Sequence, residues 1–361
     1  MRDAIIAAVD IVGATRSYER WLRQQTRVVP ADLARKHDLM REGPFMFLRA
    51  TFYRWLQHWP GVCQSEAAAP LVLAVGDMHT ENFGTWRDAE GRLVWGVNDV
   101  DEVCRAPYTL DLVRLATSVM FAARERFLGI SDKNACKAIL QGYERCLIEG
   151  GRPLVLAEHQ AWLRDLALVQ LRDPAAFWQK LQALPRTTRA VPHDVFRSSM
   201  PDRRLRYRVV RRVAGAGSLG RRRLVALADW GGAVIAREAK AVAPSAAAWA
   251  WKATSTMDNA RRLVRTAKRV EDPFFSIREQ WIVRRLAPDC ARVELADLPR
   301  TRDEKNLLRA MGWETGNVHL ASGARQILHD LHRRPPRWLQ RAAEAMASAL
   351  YADWRDWKRS A

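Results

Sequence analysis

The stretch LVLAVGDMHTENFGTWRDAEGRLVWGVNDVDE, residues 71–102, sets Asp77, His79, Glu81 and Asn82 on one turn and Asn98, Asp99, Asp101 and Glu102 on another. Each group follows an apolar, strand-like run, Leu71 to Val75 and Leu93 to Val97. Phosphoryl transfer uses such a set: a carboxylate that orients or deprotonates an acceptor hydroxyl, a nearby amide oxygen for Mg²⁺, and a second carboxylate on the metal that bridges nucleotide phosphates. Asp77 and Asn82 offer the first two, and Asp99 the third, with Asp101 in reserve. The competing reading is a polar turn cluster satisfied by its own backbone. Two acidic turns side by side repel unless a cation lies between them, which favours the metal. His79 either orients the loop as a hydrogen-bonding residue or acts on substrate. Asp111 reads as a helix-start acid, and His319 as a structural residue on a helix.

Gly215, Gly217 and Gly220, with Ser218 among them, spell GxGxxG. That spacing suits a dinucleotide-binding turn or a loop that covers phosphates. A dinucleotide turn opens a helix, whereas this chain continues as RRRLVALADWGGAVIA, a strand, a tight turn and a strand. Strand, glycine loop, strand is the protein-kinase arrangement, in which a lysine on the third strand meets the phosphates. Lys240, in AREAKAV, stands at that point. The bland alternative is a hairpin with a solvated lysine.

The elements that must position these residues divide the chain into three. Residues 1–200 read as helices around the 71–102 hairpin: apolar residues recur at helical spacing before residue 60, Pro44 falls in a first turn, and Thr109 can cap a helix beginning TLDLVRLATS. A Pro-, Ser- and Arg-rich segment, LPRTTRAVPHDVFRSSMPDRR, reads as a linker. Residues 201–290 form a small β-rich unit with a helix from Thr254 to Val270, and residues 291–361 supply two or three helices. No internal repeat is visible.

The chain has 361 residues, with Lys+Arg 59 against Asp+Glu 40, a formal net charge of +19 that favours anionic partners. The arginines between Arg203 and Arg223 could grip nucleic acid or form a solvated sheet face. Five scattered cysteines lack zinc-ligand spacing or a disulfide framework, which suits a reducing compartment. Asp3 and Asp10 interrupt the apolar N-terminus as a secretion signal, and no uncharged stretch is long enough to span a bilayer. The expectation is a cytoplasmic protein without a membrane span. Trp21, Trp55, Trp249 and Trp281 sit among apolar neighbours and read as core.

The motifs KHDLMREGPFMFLRATF, VGDMHTENFGTW, WGVNDVDE, PYTLDLVRLATS, VAGAGSLGRRRLVAL, REAKAVAPS and EDPFFSIREQWIVRRLAP resemble, in that order, a bacterial family catalogued as domain of unknown function 2252. The likeness covers roughly residues 36–350. The short motifs also resemble the catalytic loop of aminoglycoside and choline kinases. That resemblance implies Asp77 as catalytic Asp, His79 as the second His of HGDxHxxN, Asn82 and Asp99 as metal ligands, and Asp111 as the Asp that opens the following helix. Val75 replaces the first His. The glycine loop and lysine follow the catalytic loop here, the reverse of their order in kinases, so the chain resembles a circularly permuted kinase. The helix STMDNARRLVRTAKRV lacks a mid-helix acid for Lys240, leaving Glu238, Asp258 or Glu271 as its candidate partner.

Together these readings predict an α+β, protein-kinase-like two-lobed fold, permuted, with a mostly helical large lobe and a small antiparallel lobe. The expected site comprises Asp77, His79 and Lys240 as catalytic residues. Gly215, Gly217, Ser218, Gly220 and Lys240 would hold ATP, and Asn82, Asp99 and Asp101 would hold Mg²⁺. The expected reaction transfers phosphate to a hydroxyl of a small molecule. AMP transfer from the same site, and a non-catalytic basic regulator that binds nucleotide or nucleic acid, are the alternatives.

Overall fold

In the computed structural model, residues 10–156, 160–169, 173–253, 257–290, 292, 294–295 and 303–360 are described. Residues 1–9 and Thr254, both included in helical readings of the sequence, lie outside them. The fold is α+β, with helices dominant and small antiparallel sheets.

Helices α1 (Ile11–Gln25), α2 (Pro30–Glu42), α3 (Pro44–Ala50), α4 (Phe52–Val62) and α5 (Gln64–Ala67) come first. Asp10 caps α1 by accepting from Gly13 N at 2.6 Å, and Pro30 and Pro44 occupy first turns, where no amide partner is needed. Strands β1 (Leu71–Ala74), β2 (Phe83–Arg87), β3 (Leu93–Val97) and β4 (Cys104–Pro107) follow. Then come α6 (Tyr108–Arg124), α7 (Asp132–Glu149), β5 (Leu154–Val155), α8 (Ala161–Val169), α9 (Pro174–Gln182) and α10 (His193–Arg197). Thr109 does not cap α6: its hydroxyl donates to Glu66 O at 2.7 Å, and Pro107 precedes the helix.

The sequence pairs β1 with β3, but the structure does not. β1 pairs with β4, and β3 pairs with β2, a strand hidden directly behind Asn82. β2 reads FGTWR, too short and too glycine-bearing to stand out from the loop beside it.

Strands β6 (Arg208–Arg211), β7 (Arg223–Trp230), β8 (Ala233–Ala241), β9 (Ser276–Arg278) and β10 (Trp281–Leu286) make a five-stranded antiparallel sheet in the order β6-β7-β8-β10-β9. No helix starts at Gly220; the chain turns there and enters β7 at Arg223. Alternation along the strands gives each face its own apolar cluster. Val209, Leu224, Ala226, Ala239 and Val283 pack on Val195, Phe196 and Met200, so the segment read as a linker covers one sheet face. On the other face Val210, Val225, Leu227, Ala236 and Leu286 pack on Leu181. On that face, Glu238 and Lys240 continue the row from Ala236, so this end of the face is ionic.

Helices α11 (Ala246–Ala250), α12 (Met257–Thr266), α13 (Glu304–His319), α14 (Ala324–Arg333) and α15 (Trp338–Arg359) complete the chain. The main core joins residues from both ends, including Trp55, Phe121, Met311 and Met346. α13 lies against α7 at backbone distance: a Cβ on Gly142 would stand 1.9 Å from Arg309 O, and one on Gly312 would stand 2.0 Å from Ile139 O. Trp55 is fully buried, whereas Trp21, Trp249 and Trp281 are only partly buried. All five cysteines are free. Among the described residues, no helix is long and apolar enough to cross a membrane.

Candidate functional site

The turn after β1 is fixed from beneath. Val75 N and Gly76 N donate to the two oxygens of Asp111 at 2.7 and 2.9 Å. His319 Nε2 lies 3.0 Å from the same carboxylate, and its Nδ1 lies 2.9 Å from Tyr143 OH. With Nε2 donating to Asp111, Nδ1 accepts from the tyrosine. Asp111 is thus more than a helix-start acid: it holds the backbone that leads into Asp77. Gly76 has φ +86°, and a Cβ there would lie 2.4 Å from Glu102 O, so this close crossing of the two turns needs glycine.

Asp77 faces Arg114, whose Nε donates to Oδ1 at 2.9 Å and whose second guanidinium nitrogen meets the same oxygen. Arg114 is fully buried, donates to Leu48 O at 2.9 Å, and stacks on Phe52 and Trp55. Burial raises the Asp77 carboxyl above its ordinary range against the pull of Arg114, and Asp101 and Asp99 add to the rise. The reading of the sequence missed Arg114, although a lone arginine in the apolar run LDLVRLATSVM is a visible signal. His79 Nδ1 accepts from Glu81 N at 3.2 Å. Burial, then Arg49, Arg114 and Arg292, push its ring well below the ordinary histidine value, so it is neutral at pH 7.

Asn82 ties the two turns together. Its Nδ2 donates to Asp77 O at 3.0 Å and Asp99 O at 3.2 Å, and its Oδ1 accepts from Asp99 N at 2.8 Å. The β2–β3 hairpin brings them into register, with Asn98 N donating to Asn82 O at 2.9 Å.

Lys240 reaches these turns from the small sheet. Its Nζ stands 2.9 and 2.7 Å from the oxygens of Asp99 and 2.8 Å from Asp101 Oδ2. Neither Glu238 nor Asp258 is its partner: Glu238 pairs with arginines, and Asp258 pairs with Arg261. Arg221 bridges Asp101 and Glu102, each at 2.7 Å. Burial opposes ionisation of Asp101, but Lys240 and then Arg221 hold its carboxyl below the ordinary range. Arg221 and Arg223 are therefore buried and paired, and the expectation of a solvated arginine face is corrected for both. Sequence alternation cannot tell which side of a strand meets a cleft.

The glycine loop lies against the Asp77 turn. A Cβ on Gly217 would stand 2.9 Å from Arg49 O and 3.3 Å from Asp77 Oδ2. Ser218 Oγ accepts from Arg223 at 2.9 Å. Asp77, Asp99, Asp101, Gly215, Gly217 and Ser218 all line one cavity that opens to solvent. A second open cavity shares His79, Asn82, Asp99, Gly215 and Arg292 with it and runs along the sheet to Leu286.

The family model described as an uncharacterized protein conserved in bacteria, DUF2252, matches residues 27–160 and 155–360. The chain belongs to the DUF2252 family. No curated protein matches this DUF2252 chain, and no solved structure does.

The second cavity of the DUF2252 protein is lined by Arg212, Arg223, Arg284 and Arg292 and by Glu81, Asp99 and Glu294. Glu238, fully buried, receives Arg223 at 2.7 Å, Arg284 at 2.9 Å and Arg212. Burial would raise its carboxyl, but Arg223, Arg212 and Arg284 hold it well below the ordinary range. Three guanidiniums thus share one carboxylate beside a cavity that Arg212, Arg223 and Arg284 line. Among the described residues, no three His, Cys, Asp or Glu side chains are grouped as a metal cluster. The donor set nevertheless fits Mg²⁺, which keeps several waters and takes one or two carboxylates. Asp99 is the most open acid of the network, with its side chain 46% exposed, and Asp101 and Asn82 Oδ1 stand beside it.

Proposed function

We propose that this DUF2252 protein transfers a phosphate from Mg²⁺·ATP to a hydroxyl of a small molecule, in a permuted, kinase-like arrangement of two lobes. In this reading residues 201–290 are the nucleotide lobe, and residues 1–200 and 291–361 together form the other. The observation that carries it is Lys240. A lysine on β8, the third strand of a unit whose first two strands flank a glycine loop, pairs with Asp99 and Asp101, while that loop packs on Asp77. Kinases pair this strand lysine with nucleotide phosphates and a helix glutamate; here the acids it meets are those of the turn assigned to the metal.

ATP would lie along the second cavity, which Gly215, Arg212, Arg223 and Arg284 line, its phosphates toward Asp99 and the Lys240 paired with it. Asp99, Asp101 and Asn82 would hold Mg²⁺, which would neutralise charge developing on the phosphates. Arg114 occupies Asp77 Oδ1, leaving Oδ2 toward the glycine loop to accept the acceptor's proton. The raised Asp77 carboxyl suits that role, since a stronger base takes the proton more readily. The acceptor oxygen bonds to the γ-phosphorus as the bond to the β,γ-bridging oxygen breaks, and ADP leaves. Neutral His79 orients the turn from the cavity wall.

The test is incubation with ATP labelled separately at the α- and γ-phosphates, with metabolites and proteins as acceptors. Transfer of γ label is expected. Transfer of α label would convert the reading to AMP transfer, and transfer of neither would leave a nucleotide-binding regulator.

A further inference from the structure

The stretch KHDLMREGPFMFLRATF, residues 36–52, takes no part in the transfer chemistry above, yet it delivers two cations to the cleft. Lys36, on α2, is 6% exposed and lines the first cavity, as Asp77 does. Among the described residues its ammonium has no carboxylate within ion-pair distance, and its hydrogen bond is a long one, 3.4 Å to Gly217 O. An ammonium carries three donors, and burying one without an anion is costly. Its other near neighbour is the Tyr53 ring, 5.9 Å from Nζ. Arg49 stands on the same wall, 5% exposed and 2.5 Å from Glu81, and its buried Nε has no partner. Arg292 lines both cavities, and burial and then Arg49 lower its guanidinium to about 10.

We infer that Lys36, with Arg49 and Arg292 beside it, is an anion subsite at the acceptor end of the cleft, built for a phosphate-like oxyanion. Two sources share that chemistry: the γ-phosphate of ATP, and an anionic group on the acceptor. The source rests on the phosphotransfer reading; the anion site rests on Lys36 itself. The charges acting on Lys36 are Arg221, which opposes its ammonium, and Glu19, Glu102 and Asp77, which favour it. Burial outweighs them and lowers it to about 8. An anion bound there is therefore released as pH rises past about 8.

Calorimetric titration of the full chain tests this, with inorganic sulfate as the probe because its charge is constant over the range. Sulfate should bind the wild type, about tenfold more weakly in Lys36→Met and near normally in Lys36→Arg. Its affinity should fall about tenfold in all as pH rises past about 8 in the wild type, then level off, and should not fall in Lys36→Met. If the anion is the γ-phosphate, Lys36→Met weakens Mg²⁺·ATP and not Mg²⁺·ADP. If it belongs to the acceptor, both nucleotides keep their affinity, and sulfate still binds protein saturated with a non-hydrolysable ATP analogue. The thermal midpoint of Lys36→Met should equal or exceed that of the wild type, since an unpaired buried charge is removed. Sulfate binding indifferent to Lys36, or a lowered midpoint, would overturn the subsite. Lys36-dependent sulfate binding in a protein that binds no ATP would support the subsite and end the phosphotransfer reading.

Discussion

Asp77 and Asp99 share one cavity but have different partners, which separates their expected phenotypes. Asp99 meets Lys240 and is half open, so Asp99→Asn should weaken Mg²⁺·ATP binding in a calorimetric titration, because an anionic ligand is lost. Asp77→Asn should leave that affinity nearly unchanged and lower turnover about 10²-fold or more, the range for losing a general base. Because burial raises the Asp77 carboxyl, turnover should fall as pH drops through a value above the usual carboxylate range near 4, and Asp77→Asn should abolish that acid limb. Asp77, Asn82 and Asp99 were legible in the sequence as residue types after strand-like runs. Arg114 was not, because its role depends on a helix turning one side chain beneath a loop that lies 37 residues earlier.

At the scale of elements, the small sheet and the loops are held by buried ions and tight crossings. Glu238 is ionised in the fold with a depressed carboxyl, so its contribution is complete above the ordinary glutamate value of 4.5 and is lost as pH falls toward the folded value. Glu238→Gln should cost about 3 kcal/mol or more in denaturant unfolding, since three buried or half-buried guanidiniums lose their carboxylate, and should flatten the acid side of the stability profile. Gly76→Ala should cost about 2 kcal/mol or more by the same measurement, because φ +86° and the carbonyl of Glu102 both exclude a Cβ. The glycine loop and its flanking strands were readable from turn residues and alternation. The β1–β4 and β2–β3 pairings were not, because strand partners depend on which edges meet, and β2 supplied the edge that the apolar pattern concealed.

At the scale of the molecule, the C-terminal helices belong to the same core as the N-terminal ones. Trp313, Trp338, Leu339, Met346, Leu350 and Trp357 are all buried in it. At about 2 kcal/mol each, their burial is comparable to the 5–15 kcal/mol net stability of a whole domain. A chain ending at Cys290 should therefore fail to give a cooperative thermal transition, and adding residues 303–360 in trans as a separate peptide is the control for partial rescue. The sequence by itself determined the family, the α+β class, the two acidic turns and the strand–glycine loop–strand unit with its lysine, because these depend on local spacing and side-chain period. Only the tertiary structure decided that Lys240 meets Asp99 and Asp101, that Arg221 and Arg223 turn inward, and that Lys36 reaches the cleft with no acid of the described residues within ion-pair distance. The contacts of Lys240, Arg221 and Lys36 join segments more than a hundred residues apart, and it is the packing of their elements, not any local pattern, that determines which charges are neutralised.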